Sequence, residues 1–137
     1  MDDELIQAAM AARNNAYAPY SRFLVGAALR TETGRVFTGV NVENASYGLT
    51  ICAERVAIFQ AVTAGERNFS SMAIAVDAPV PAAPCGACRQ VMAEFGVQEI
   101  ILCTKNHQMK RFLLADLLPE AFLKENISEG VCHEQTK

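Results

Sequence analysis

The chain has 137 residues, 51% of them hydrophobic and 20% charged, with a net charge of −3. That length suits one domain with its own core, and no apolar run approaches the roughly 20 residues needed to span a bilayer. The basic residues are scattered and form no stripe of the kind that tracks a phosphate backbone, so neither nucleic acid nor a membrane is an expected partner.

Residues 3–17 suit a first helix, with Leu5, Ile6, Ala9 and Met10 on one face and Asp2, Asp3 and Glu4 at its positive end. The acidic opening "MDDELIQ" lacks the basic region of a signal peptide, which points to a cytoplasmic protein. Pro19 in "YAPYS" breaks the helix. "FLVGAALRT" (23–31) and "VFTGVNVE" (36–43) read as two strands of a hairpin joined by the turn "ETGR". A second helix is expected over 49–65, with Thr50 near its cap and Gly65 past its end. "MAIAVDA" (72–78) is a short apolar run closed by the prolines that follow it, hence a buried strand. A third helix follows Pro84 and stops at Gly96. "EIILCTK" (99–105) reads as another buried strand and "MKRFLLA" (109–115) as an edge strand. "DLLPEAFLKENI" holds a short terminal helix, and a polar tail runs from about 125 to 137.

Strands that alternate with helices in this way predict an α/β fold in a single domain over 1–137. The expected architecture is a three-layer αβα sandwich: a five-stranded mixed sheet with an N-terminal hairpin and helices on both faces.

Five cysteines, at 52, 85, 88, 103 and 132, are an odd number, and a reducing compartment disfavours disulfides. "PCGAC" sets Cys85 and Cys88 three apart, on one face of the first turn of the third helix. That spacing alone is compatible with a redox pair, half of a structural zinc site, or two ligands of a catalytic metal. "TICAER" puts Cys52 in the first turn of the second helix, with Glu54 two residues on. Unpaired N–H groups and the positive ends of both helices favour thiolates, so two helix starts can present three thiolates to one point. A catalytic zinc has three protein ligands and an open position, and Glu54 adds a carboxylate that can handle a water's proton.

Three thiolates and Zn²⁺ carry one net negative charge. Arg55, next to Cys52, can offset it by donating hydrogen bonds to the sulfurs, and Arg89, beside Cys88, is the second candidate. A closed Cys₄ site completed by Cys103 or Cys132 is one alternative, but it has little use for Glu54. Thioredoxin-like exchange between Cys85 and Cys88 is another, and it leaves both Cys52 and Glu54 idle. Cys103 in "IILCTK" reads as core, while His107 and His133 lack ligand spacing.

C-x-E…P-C-x-x-C is the Cys₃ form of the signature of zinc-dependent nucleobase deaminases. Together with it, "YAPYSRFLVGAAL", "GVNVENASYG", "CAER" and "PCGACRQ" resemble the small homotetrameric tri-cysteine cytidine deaminases of pyrimidine salvage, from about Ala16 to Phe122. The resemblance implies hydrolytic deamination of cytidine and 2′-deoxycytidine to uridine and 2′-deoxyuridine, with release of ammonia. It implies one Zn²⁺ per subunit on Cys52, Cys85 and Cys88, with Glu54 as proton shuttle. It also implies that the backbone N–H of Ala53 meets the pyrimidine 2-oxo group and that Asn41 and Glu43 bind the sugar's 3′-hydroxyl. As alternate residues of a strand, those two share one face. Phe23 would line the same pocket. Phe122 and Tyr47 would reach the active site of a neighbouring subunit in a homotetramer. Relatives that deaminate a cytosine-containing antibiotic share the zinc motifs, and the "NVENASYG" block favours plain nucleosides.

Overall fold

The structure is a computed structural model that describes residues 2–127. Helix α1 (Asp2–Arg13) ends earlier than expected, before Asn14 and Asn15, both poor helix formers. Beyond them Tyr17 is drawn into an isolated bridge with Val42. Strands β1 (Val25–Thr31) and β2 (Val36–Val40) form the hairpin. Its turn carries Gly34 at φ 90°, a left-handed conformation that glycine adopts freely.

Between β2 and helix α2 (Ala53–Thr63) lies a 3₁₀ turn, Tyr47–Leu49. The apolar run that suggested a helix from Leu49 is instead partly extended. Ile51 and Val42 exchange two backbone hydrogen bonds of 3.0 Å, so the helix is capped by Cys52 rather than Thr50. That bridge also corrects the expected second strand, which stops at Val40. Asn41 and Glu43 therefore flank the bridged Val42 rather than sit inside a strand.

Strand β3 (Phe69–Val76) starts before its expected limit, where Phe69 stacks on Phe95 at 5.2 Å. Helix α3 (Gly86–Glu94), β4 (Glu99–Thr104), β5 (Met109–Leu113) and the single turn α4 (Leu114–Leu117) follow. The expected terminal helix is interrupted around Pro119, where Glu120 has φ 57°, and residues 124–127 are helical again. The polar tail thus begins inside a helical turn, and its remainder lies outside the described residues.

The sheet order is β2-β1-β3-β4-β5. β3 and β4 are parallel, and the other neighbouring pairs are antiparallel. Side chains alternate between the two faces, which sorts the core into two halves. Leu5, Ile6 and Ala9 of α1 pack on Ala28, Ala73, Ala75, Ile101 and Cys103. On the opposite face α2 and α3 cover Ala27, Leu29, Met72, Ile74, Ile100 and Leu102. Fully burying a side chain such as Leu5 or Leu29 contributes roughly 1.5–3 kcal/mol. The three layers are those expected from the sequence.

Two glycines set how closely the helices approach. A Cβ on Gly39 of β2 would collide with the backbone of Ala53 and Ala57 in α2, and one on Gly26 with the backbone of Ala9 and Arg13 in α1. Gly39→Ala is expected to destabilise the chain by about 1–3 kcal/mol, since backbone, unlike a flexible side chain, cannot swing aside. Urea unfolding checks this, and an unchanged midpoint would show that α2 is free to shift. Among the described residues no helix is long and apolar enough to cross a membrane.

Candidate active site

β2, β3 and β4 run parallel to one another, with β1 antiparallel between the first two. The ends of β2 and β3 and the start of β1 therefore share one rim, where Val25 pairs with Val76 and Gly26 with Val40. Crevices beyond the carboxyl ends of parallel strands are where α/β proteins place their ligands. Here the rim is faced by the N-termini of α2 and α3.

Both helices carry a cysteine at the cap. The carbonyl of Cys52 accepts from Val56 N–H at 3.2 Å, and that of Cys85 from Arg89 N–H at 3.0 Å. The sulfur of Cys85 also accepts from Cys88 N–H at 3.5 Å. The first-turn thiols expected at Cys52 and Cys85 are thus moved one step outward, to the caps, while Cys88 occupies the first turn. The three sulfurs lie within 4.8 Å of one another. Tetrahedral Zn–S bonds of about 2.3 Å set sulfurs about 3.8 Å apart. Cys52–Cys85 and Cys85–Cys88 are separated by 4.0 and 3.4 Å. Three soft donors at that spacing fit a zinc ion.

The electrostatics support the same fit. A hydrogen bond from the Cys88 thiol, with a second from the Arg55 guanidinium, holds Cys52 down to about 5. Donating to Cys52, together with burial, pushes Cys88 far up. Cys52 is thus poised as a thiolate, the form in which sulfur binds a metal. Arg55 donates from Nη2 to Cys52 Sγ at 3.5 Å, and its buried Nε has no hydrogen-bond partner among the described residues. Glu54 is 5% exposed, and burial, reinforced by the Cys52 thiolate, raises its carboxyl to about 7.

A cavity of about 290 Å³ opens beside these groups. Cys52, Ala53, Glu54 and Cys85 line it together with Phe23, Asn41 and Glu43. Residues 1–104 match the family model described as the cytidine and deoxycytidylate deaminase zinc-binding region. The chain belongs to this family.

A cytidine deaminase of Sporosarcina psychrophila is 46% identical over 128 residues, covering 92% of this chain and 94% of that relative. One from Halalkalibacterium halodurans is 47% identical over 127 residues, with 91% and 96% covered. The crystal structure of cytidine deaminase from Burkholderia pseudomallei superposes with a TM-score of 0.85 at 52% identity, over 89% of this chain and 99% of that one. Membership makes this chain a zinc-dependent hydrolase, and the thiol cluster agrees with that cofactor.

Of the two arginines, Arg55 reaches a sulfur. Arg89 is spent on backbone carbonyls, donating to Pro84 and Leu117 at 2.8 Å each. Cys103 is buried on the α1 face of the sheet, with its sulfur donating to the Ile74 carbonyl, and cannot close a Cys₄ site with Cys88 on the other face. Cys132 and His133 lie outside the described residues. His107 sits exposed in a turn at φ 65°.

Tyr47 is 74% exposed and lines an adjoining cavity of about 420 Å³ that shares Ser21, Glu43 and Thr50 with the first. Phe122 is 60% exposed and lines neither. The sequence reading missed Ser21, whose side chain bonds Glu43 from 22 residues away. It stands in the segment "YAPYSRF", but no spacing marks it.

Proposed function

We propose that the chain converts cytidine and 2′-deoxycytidine, with one water, to uridine and 2′-deoxyuridine plus ammonia, as a step of pyrimidine salvage in the cytoplasm. The observation that carries this reading is the buried Glu54 carboxyl beside three convergent thiols at a cavity. Cys52, Cys85 and Cys88 would hold the zinc. When bound there, the ion acidifies a water and so supplies a nucleophile near neutral pH.

Glu54 moves the protons. It accepts one from the attacking water and delivers it to N3 of the ring as the water oxygen bonds to C4. It then takes the second proton from the hydroxyl now on C4 and passes it to the amino group, so that the C4–N bond breaks, C4=O forms and ammonia leaves. A carboxyl whose pKa lies close to neutral can work in both directions. Ala53 opens helix α2, so its N–H has no intrahelical partner and can donate to the 2-oxo group. Asn41 and Glu43 take the sugar's 3′-hydroxyl, with Phe23 against the sugar. The Glu43 charge repels a nucleotide phosphate, in keeping with a neutral nucleoside. Arg55 offsets the excess negative charge of the three thiolates.

Tyr47 and Phe122 expose large apolar surface in the single chain, which supports a homotetramer in which they reach a neighbour's site. Sedimentation should give four times the chain mass, and a fully active monomer would remove the shared-site part of the reading.

Zinc-loaded chain incubated with cytidine should release ammonia and lose ultraviolet absorbance at the same rate. No turnover in a chain carrying about one zinc would sink the cytidine assignment.

A further inference from the structure

Asn41 and Glu43 are tied to a single segment of chain. The Glu43 carboxylate accepts from the N–H groups of Tyr20 and Ser21 at 3.0 Å each, and from the Ser21 hydroxyl. The Asn41 amide accepts from Val25 N–H at 2.9 Å and donates to the Phe23 carbonyl at 2.8 Å. Ser21 Oγ in turn accepts from Phe23 N–H at 3.0 Å. Arg22, between them, stands at φ 60°, the left-handed turn of this short loop. A continuous chain of bonds therefore runs from Phe23 N–H through the Ser21 hydroxyl to Glu43.

A carboxylate offers about four acceptor sites, and three of those on Glu43 are taken. The Asn41 amide has two N–H donors, and one is taken. Both residues line the cavity. It is thus left with an amide donor and a carboxylate acceptor, the complement of a hydroxyl group.

We propose that Ser21 is a positioning residue: its hydroxyl fixes the Glu43 carboxylate and the Phe23 backbone together, so that the part of the substrate remote from the reacting carbon meets a preformed hydroxyl site. This rests on the reading that the cavity takes a nucleoside, whose sugar supplies that hydroxyl. Ser21 acts through Glu43 and Phe23 rather than on the reacting atoms. Preorganisation of this kind shows in substrate affinity before it shows in chemistry.

The test compares zinc-loaded wild type, Ser21→Ala and Ser21→Thr. Ser21→Ala should raise KM for cytidine about tenfold, the scale of one charge-assisted hydrogen bond, with kcat and zinc content held. Ser21→Thr, which keeps the hydroxyl, should restore KM. With 2′,3′-dideoxycytidine, which lacks the hydroxyl, wild type and Ser21→Ala should give similar KM values. An unchanged KM in Ser21→Ala overturns the proposal. So does a joint loss of zinc and folding in both variants, which marks a purely structural serine.

A second readout does not depend on turnover. Carbon-13 NMR of the Glu43 carboxyl should show its titration midpoint rising in Ser21→Ala and staying low in Ser21→Thr. No shift overturns the proposal. A shift in a chain that ignores cytidine sinks the nucleoside reading and keeps the positioning role.

Discussion

Glu54→Gln is expected to lower kcat by about 10²- to 10⁴-fold, the range that a positioned acid–base group supplies. The amide keeps the size of the side chain and can still donate and accept a hydrogen bond, but it cannot carry a proton from one atom to another. Because Glu54 is buried at the start of α2 between two cysteine-bearing helix caps, an isosteric change should leave those caps in place. Zinc content and unfolding midpoint should therefore match wild type. The decisive comparison is ammonia release per bound zinc in the two proteins. Equal rates would show that the proton moves by another route and would remove Glu54 from the mechanism.

Cys88→Ser carries the second large effect, this time on the metal. Cys88 is fully buried in the core formed by α2, α3 and the sheet, and its sulfur closes the thiol cluster from the protein side. Serine offers a harder, far less acidic oxygen in place of a soft thiolate, so the site loses a ligand rather than swapping one. Zinc affinity should fall by more than about 100-fold, beyond the 10- to 100-fold that follows loss of a group merely supporting a ligand. Activity should fall with bound metal. Competition against a chromophoric chelator measures it. Cys103→Ser, on the other face of the sheet, should hold zinc as wild type does. Wild-type affinity in Cys88→Ser, or a loss in Cys103→Ser, would mean that the ligand set is drawn wrongly.

Much of this arrangement is legible in the amino-acid order because its causes are local. Apolar runs such as "EIILC" can hardly be anything but a covered strand, and Gly96, at φ 74°, ends the third helix where the pattern stops. Cysteines beside helix starts point to thiolates without any knowledge of the fold. The misread boundaries share a different cause. α1 and α2 look longer in sequence than they are, because Tyr17 and Ile51 are each drawn into a bridge with Val42. The helical pattern through Leu49 and Ile51 cannot reveal a bridge to Val42. Ser21 was silent for the same reason, since its partner is 22 residues away. The roles proposed for Tyr47 and Phe122 involve a second copy of the chain, of which one chain's own packing carries no signal.

The two outer strands of the sheet are guarded in different ways, and this bears on how the chain avoids clumping. β5 is exposed along most of its length, a template on which a strand from another molecule could add. It carries Lys110 and Arg111 in the middle, and Arg111 is anchored to Asp2 at 2.7 Å and lies 3.6 Å from Glu99. Any added strand would have to desolvate those charges. β2, at the far edge, is only five residues long, and the Gln60 side chain already donates to its Thr38 carbonyl at 2.6 Å. One edge is defended by charge and the other by brevity and an occupied acceptor, so the sheet can stay at five strands without a barrel's closure.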